Sequence, residues 1–321
     1  MRWLFVLSLL WFACDPGRPV VDSGDDVDAS VSMPGDAGAE DAGAEDAGTD
    51  DAGVTDAGTV DAGQVDAGPA DGGTGSSHGS GKLACSRTGT VSTSAGVKTY
   101  CVATVGGVEL KIIEPDDVAT NAAPLQLALY VHGDGARAYF NDTAPRLHAP
   151  WTTRRHVLYV AALAPNTCAW WTKPSVNPCD AGVTTADRDQ DGLNADALEA
   201  VVTALRAHWD LADAPVLFGG ASGGSIFLSA DYLPRYGAAH PGVWALSCGG
   251  EIPWTPITGD VRSSFLSFTW GDQDFLLPDI TAAVAWFGDA GVPLATRVIA
   301  GAQHCAFDHL GRTVEIWDAG R

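Results

Sequence analysis

Between residues 81 and 321 the apolar positions fall into short runs that alternate with helical spacings. Residues 125–131 and 157–162 are near-continuous apolar runs of strand length, the pattern of strands covered on both faces. Over residues 198–209, Val201, Val202, Leu205 and Trp209 recur at the spacing of one helix face. The run at 216–218 predicts a strand, followed by glycines and a helix reaching about residue 236. Residues 243–246, 265–270 and 296–299 predict further strands, with a helix over 280–287 between the last two. Strands alternating with helices predict a mostly parallel, doubly wound α/β sheet. Residues 88–113 instead read as strands without helices, an antiparallel start to the same sheet.

Upstream of residue 81 the pattern changes. Met1 and Arg2 precede an apolar stretch from Trp3 to Ala13, broken only by Ser8. That is the form of a secretory signal and is too short to span a bilayer. Leu10, Trp11, Phe12, Ala13 and Cys14 resemble the lipobox of bacterial lipoproteins. The resemblance implies acylation of Cys14 and a membrane anchor; a simple secreted protein is the alternative. Asp-Ala-Gly then recurs with a period of five from Asp36 to Asp66, and Asp71 keeps the register. Such units bury almost nothing, so nothing offsets the entropy of ordering them, and a disordered, charge-extended tether is expected. A plain solubility tail is the competing reading. The expected organisation is a signal peptide over 1–13, a tether over 14–80 and one folded domain over 81–321.

Charge follows the same division. Of the formal net charge of −22, residues 15–80 contribute 16 acidic side chains against one basic, Arg18. The remainder is mildly acidic and offers no basic face for nucleic acid. Besides Cys14, six cysteines remain in a chain that reads as exported, which suggests disulfides. Six cysteines allow 15 pairings. Cys85–Cys101 would close a strand hairpin, Cys168–Cys179 a short loop, and Cys248–Cys305 is left by elimination.

The candidate chemistry begins after the strand at 216–218. Gly220, Ser222 and Gly224 form Gly-x-Ser-x-Gly between a strand and a helix, the setting of a nucleophile elbow. A serine hydroxyl needs a base, and the base an orienting acid. Three histidines follow Ser222. His240 reads as a surface turn and His309 as part of a terminal helix. His304 lies in a loop just past a strand, where α/β sheets hold their ligands, and is the expected base. The acid lies in the segment around Asp272 and Asp274, one orienting the imidazole while the other caps the turn. After the strand at 125–131, His132, Gly133, Asp134 and Gly135 could supply one oxyanion N–H from Asp134, with Gly223 supplying the other. The Asp134 carboxylate would oppose an oxyanion, so it is expected to point away; His132 reads as a structural loop residue.

These residues resemble the α/β-hydrolase superfamily, and within it secreted polyhydroxybutyrate depolymerases and feruloyl and acetylxylan esterases. The shared pattern is His132-Gly133, the loop Cys168-Ala169-Trp170-Trp171, Asp213-Ala214-Pro215 before the elbow strand, Gly271-x-x-Asp274 and His304. It implies Ser222 as nucleophile, His304 as base, Asp274 rather than Asp272 as orienter, and ester hydrolysis through an acyl-enzyme with no required cofactor. An open cleft, a monomer and a small or polymeric ester substrate are expected. A peptidase of the same fold and a non-catalytic surface binding module are the alternatives.

Two weaker signals remain. Asp187, Asp189 and Asp191 precede Gly192 as in the start of a calcium loop, but position 12 is Leu198. The alternative is an acidic turn with Asp196 and Glu199 as a capping box. Trp170 and Trp171 are candidate contacts for an aromatic or sugar substrate.

Overall fold

The computed structural model describes residues 83–320 apart from 178 and 180–183. The expected signal peptide, the repeat tether and Cys14 lie outside the described residues. Among those described, no helix is long and apolar enough to cross a membrane.

Three antiparallel strands open the fold: β1 (Arg87–Thr93), β2 (Gly96–Val105) and β3 (Val108–Ile113). Then come β4 (Gln126–Val131), α1 (Arg137–Phe140), α2 (Thr143–Arg155) and β5 (Val157–Ala162). Next are α3 (Leu193–His208), β6 (Val216–Ala221) and a helix in three parts: α4 (Gly223–Phe227), a π turn (Leu228–Tyr232) and α5 (Leu233–Tyr236). The order closes with β7 (Gly242–Ser247), β8 (Phe265–Gly271), α6 (Leu277–Asp289), β9 (Leu294–Ile299) and α7 (His309–Ala319). The nine strands form one sheet in the order β1-β2-β3-β5-β4-β6-β7-β8-β9. From β5 to β9 every pairing is parallel, as the strand–helix alternation requires.

Strands β4 to β7 are buried at every position, so successive side chains feed two cores. One face gathers Leu127, Leu129, Phe218, Trp244 and Phe268, with Phe218 and Trp244 stacked at 4.1 Å. The other gathers Ala128, Tyr130, Leu217, Ala245 and Trp317. Gly219 makes room for the second layer: a Cβ there would lie 2.7 Å from Trp317 Cζ2.

The structure revises three details. Helix α2 has no counterpart in the sequence pattern, because Pro150 lies inside it and its apolar residues do not repeat at helical spacing. Helix α3 begins at Leu193 with Gly192 as its N-cap, so Asp196 and Glu199 are not a capping box. Glu199 instead accepts from Tyr232 Oη and bonds His240, and His240 is buried rather than a surface turn. Further, the six cysteines form Cys85–Cys101, Cys168–Cys179 and Cys248–Cys305.

Candidate active site

Strand β6 ends at Ala221, and Ser222 turns the chain into α4 with φ 51° and ψ −122°. This is a strained conformation for a residue with a side chain, of order 1–3 kcal/mol. The turn is possible because its flanks are glycine. A Cβ on Gly220 would lie 2.9 Å from the Gly224 carbonyl carbon, and one on Gly224 2.6 Å from His132 O. Ser222 N–H donates to Ser247 O at 2.9 Å, fixing the elbow to the end of β7.

Ser222 Oγ lies 2.8 Å from His304 Nε2, and His304 Nδ1 lies 2.8 Å from Asp274 Oδ1. The three come from the C-terminal ends of β6, β8 and β9, where ligand sites of parallel sheets gather. A carboxylate only accepts, so Nδ1 carries the imidazole proton and Nε2 faces the serine as the basic nitrogen. Asp274 is buried, and its Oδ1 also accepts from Leu276 N–H at 2.9 Å. Asp272 is exposed and accepts from Gly301 N–H at 2.8 Å, so it holds the turn that leads to the histidine. The Cys248–Cys305 bridge ties the residue after His304 to the end of β7. His309 starts α7, and burial lowers its pKa.

The loop after β4 closes the other side. A Cβ on Gly133 would lie 3.2 Å from Ser222 Cβ, so this loop packs directly on the elbow. Buried His132 anchors it: Nδ1 donates to Gly133 O at 2.7 Å, and Nε2 accepts from Ala164 N–H at 3.0 Å. Burial holds the His132 pKa down at about 4, against the opposing effect of the Gly133 bond.

The Asp134 carboxylate does not point away as expected. A Cβ on Gly223 would overlap Asp134 Oδ1 and come within 2.8 Å of Trp171 Cδ1, so the carboxylate and the indole lie over the elbow. Trp171 Nε1 donates to both carboxylate oxygens, at 3.1 and 3.0 Å. Burial raises the Asp134 pKa, while the Trp171 bond and the charge of His304 pull it down. The orientation follows from Gly223, whose missing side chain leaves the space.

Trp170 is not placed to meet a substrate. It is fully buried and stacks on Phe227 at 5.1 Å. Trp171, its neighbour, is half-buried. Asn166 sets this loop by accepting from Cys168 and Ala169 N–H and donating to Thr172 Oγ1. Only the turn-forming habit of asparagine could have signalled it. Phe275, also unanticipated, lies 4.3 Å from the His304 ring and is largely exposed.

The carboxylates of the candidate calcium loop serve separate ends. Asp187 caps Thr184, buried Asp189 accepts from Asn194 N–H at 2.6 Å, and Asp191 is exposed. Among the described residues no group of three or more His, Cys, Asp or Glu is placed to hold a metal ion. A cavity of ≈ 390 Å³ bounded by Lys98, Cys101, Glu114 and Trp209 lies at the antiparallel end and includes none of these site residues.

The sequence matches no protein-family model and no curated protein. Its fold matches solved structures. A carboxylesterase from Mesorhizobium loti is 18% identical, with a TM-score of 0.50 over 69% of this chain and 99% of that one. The Bacillus cereus carboxylesterase is 10% identical, with a TM-score of 0.50 over 66% of this chain and 94% of that one. LpqC, a poly(3-hydroxybutyrate) depolymerase from Bordetella parapertussis, is 16% identical, with a TM-score of 0.45 over 70% and 85%. The fold is that of the α/β-hydrolases.

Proposed function

We propose that this protein is an extracytoplasmic serine esterase that hydrolyses carboxylic esters through an acyl-enzyme. The observation that carries the reading is the chain from Ser222 Oγ to His304 Nε2 and from His304 Nδ1 to buried Asp274, on a strained elbow. Ser222 Oγ attacks the ester carbonyl and its proton passes to His304 Nε2. The N–H groups of Gly223 and Asp134 are assigned as the oxyanion donors, each such donor worth about 3–4 kcal/mol, and the Asp134 carboxylate over the elbow offsets part of that gain. The tetrahedral intermediate collapses as His304 gives its proton to the leaving alcohol oxygen. Water then attacks the acyl-enzyme, His304 takes its proton and returns it to Ser222, and the free acid leaves. Side chains and water close the proton balance without a cofactor.

Three disulfides suit an oxidising compartment. With the apolar N-terminal run and Cys14, they support export with a lipid anchor and an acidic tether. The family resemblance favours polyesters or esterified plant polysaccharides as substrates.

The test is hydrolysis of p-nitrophenyl acetate, butyrate and octanoate by wild type and Ser222→Ala, with fluorophosphonate labelling alongside. Activity and labelling that vanish in the variant support the esterase. A folded wild type inert to every ester and to the probe would instead indicate a binding module. Palmitate labelling of wild type but not of Cys14→Ser tests the anchor.

A further inference from the structure

Asp134 carries a charge that neither the proposed reaction nor the fold requires. Its carboxylate lies over the elbow, in the space left by Gly223, within electrostatic reach of His304. Among the described residues its one side-chain donor is the indole N–H of Trp171, which is neutral. No Lys or Arg pairs with it among the described residues. A carboxylate has about four acceptor positions, and one N–H leaves most of them unused. The loop that carries it is also held in place. Gly135 N–H donates to Cys168 O at 3.0 Å, joining its loop to the tryptophan loop, and Gly133 packs on Ser222.

We infer that Asp134 is a specificity-determining residue that selects esters carrying a positively charged group close to the scissile bond. The inference rests on the esterase reading. A fixed, unneutralised carboxylate attracts a cation and repels an anion, and it does so beside the reacting atoms, where misfit is most costly to rate. An ammonium-bearing acyl or alcohol group would supply the positive charge that the neutral Trp171 indole lacks. Gly223 belongs to the same device, because any side chain there would displace the carboxylate.

The test uses two isosteric substrate pairs. One is acetylcholine and its neutral analogue with tert-butyl in place of trimethylammonium, which places the charge on the alcohol. The other is the p-nitrophenyl ester of trimethylammonio-butyrate and its tert-butyl isostere, which places the charge on the acyl group. Wild type should prefer the cationic member of at least one pair by roughly two- to fivefold in kcat/KM, the range of a partly exposed ion pair. Raising salt should shrink that preference. Asp134→Asn should bring the ratio close to one. Gly223→Ala, which displaces the carboxylate, should move it the same way, so the outcome does not depend on one variant folding. No preference in wild type, or a preference unchanged in Asp134→Asn, overturns the inference if hydrolysis still requires Ser222. Hydrolysis that survives Ser222→Ala, or none at all, removes the esterase reading and the inference with it.

Discussion

Acid should loosen the oxyanion side of the site through His132. In the folded protein its pKa is lowered from 6.5 to about 4 because burial disfavours the charged ring. The unfolded chain therefore takes up this proton first as pH falls. The stability this group provides is complete at neutral pH and is lost as pH drops from about 6.5 through 4. A shift of about 2.5 units corresponds to about 3 kcal/mol in full, with about 2 kcal/mol already lost at pH 5. Protonation would also end the Ala164 N–H bond to Nε2, the tie that holds the Asp134 loop against Ser222. Buried His148, lowered to about 3, acts in the same sense, so wild type should lose stability along both routes. His132→Gln keeps an acceptor for Ala164 but does not titrate. Urea unfolding at pH 7, 6, 5 and 4.5 should show the variant less stable than wild type at pH 7. Its slope with pH should be shallower by close to one proton. Equal slopes for the two proteins would refute the buried, neutral imidazole.

Other substitutions probe the remaining parts. Replacing both Cys248 and Cys305 by Ala opens a loop of 57 residues. By loop entropy this should cost about 4 kcal/mol, against about 3 kcal/mol for either shorter bridge. Thermal unfolding should show the largest fall in Tm, and ester hydrolysis should fall because the histidine loop loses its tie. Asp274→Asn should reduce kcat by about 10⁴ while Asp272→Asn costs less than tenfold, since Asp272 touches the loop backbone and not the imidazole. A larger loss in Asp272→Asn would reverse the two roles. Gly249→Ala would force a Cβ against the Ser222 carbonyl, with its carbon at 2.9 Å, and should cut kcat by about 10² through displacement of the elbow. Unchanged kinetics would mean that the elbow yields without consequence.

What could be seen in the sequence depended on how many neighbours a residue answers to. Strands β4 to β8 stood out because both faces are buried, which leaves runs of apolar residues. The elbow and the order of Asp274 and His304 were visible because strand ends in a parallel sheet fix where such residues emerge. Helix α2 was hidden by Pro145, Pro150 and its charges. Trp170 and Trp171 are adjacent and alike in sequence, yet one fills the core and the other meets Asp134, a choice made by the backbone of an irregular loop. The direction of the Asp134 carboxylate depends on a side chain missing from Gly223, which is distant in the chain. No local pattern records such a relation.

Strand β9 ends the sheet, and among the described residues nothing pairs with its outer edge. Most of its side chains are exposed, including Val298. An open row of backbone donors and acceptors beside apolar side chains is a template on which another chain can add. Arg297 interrupts that row and lies 3.8 Å from Glu315 on α7. Arg297 is thus a charge that guards this margin against pairing. Replacing it with valine would leave the core untouched and turn the edge into a seed for aggregation.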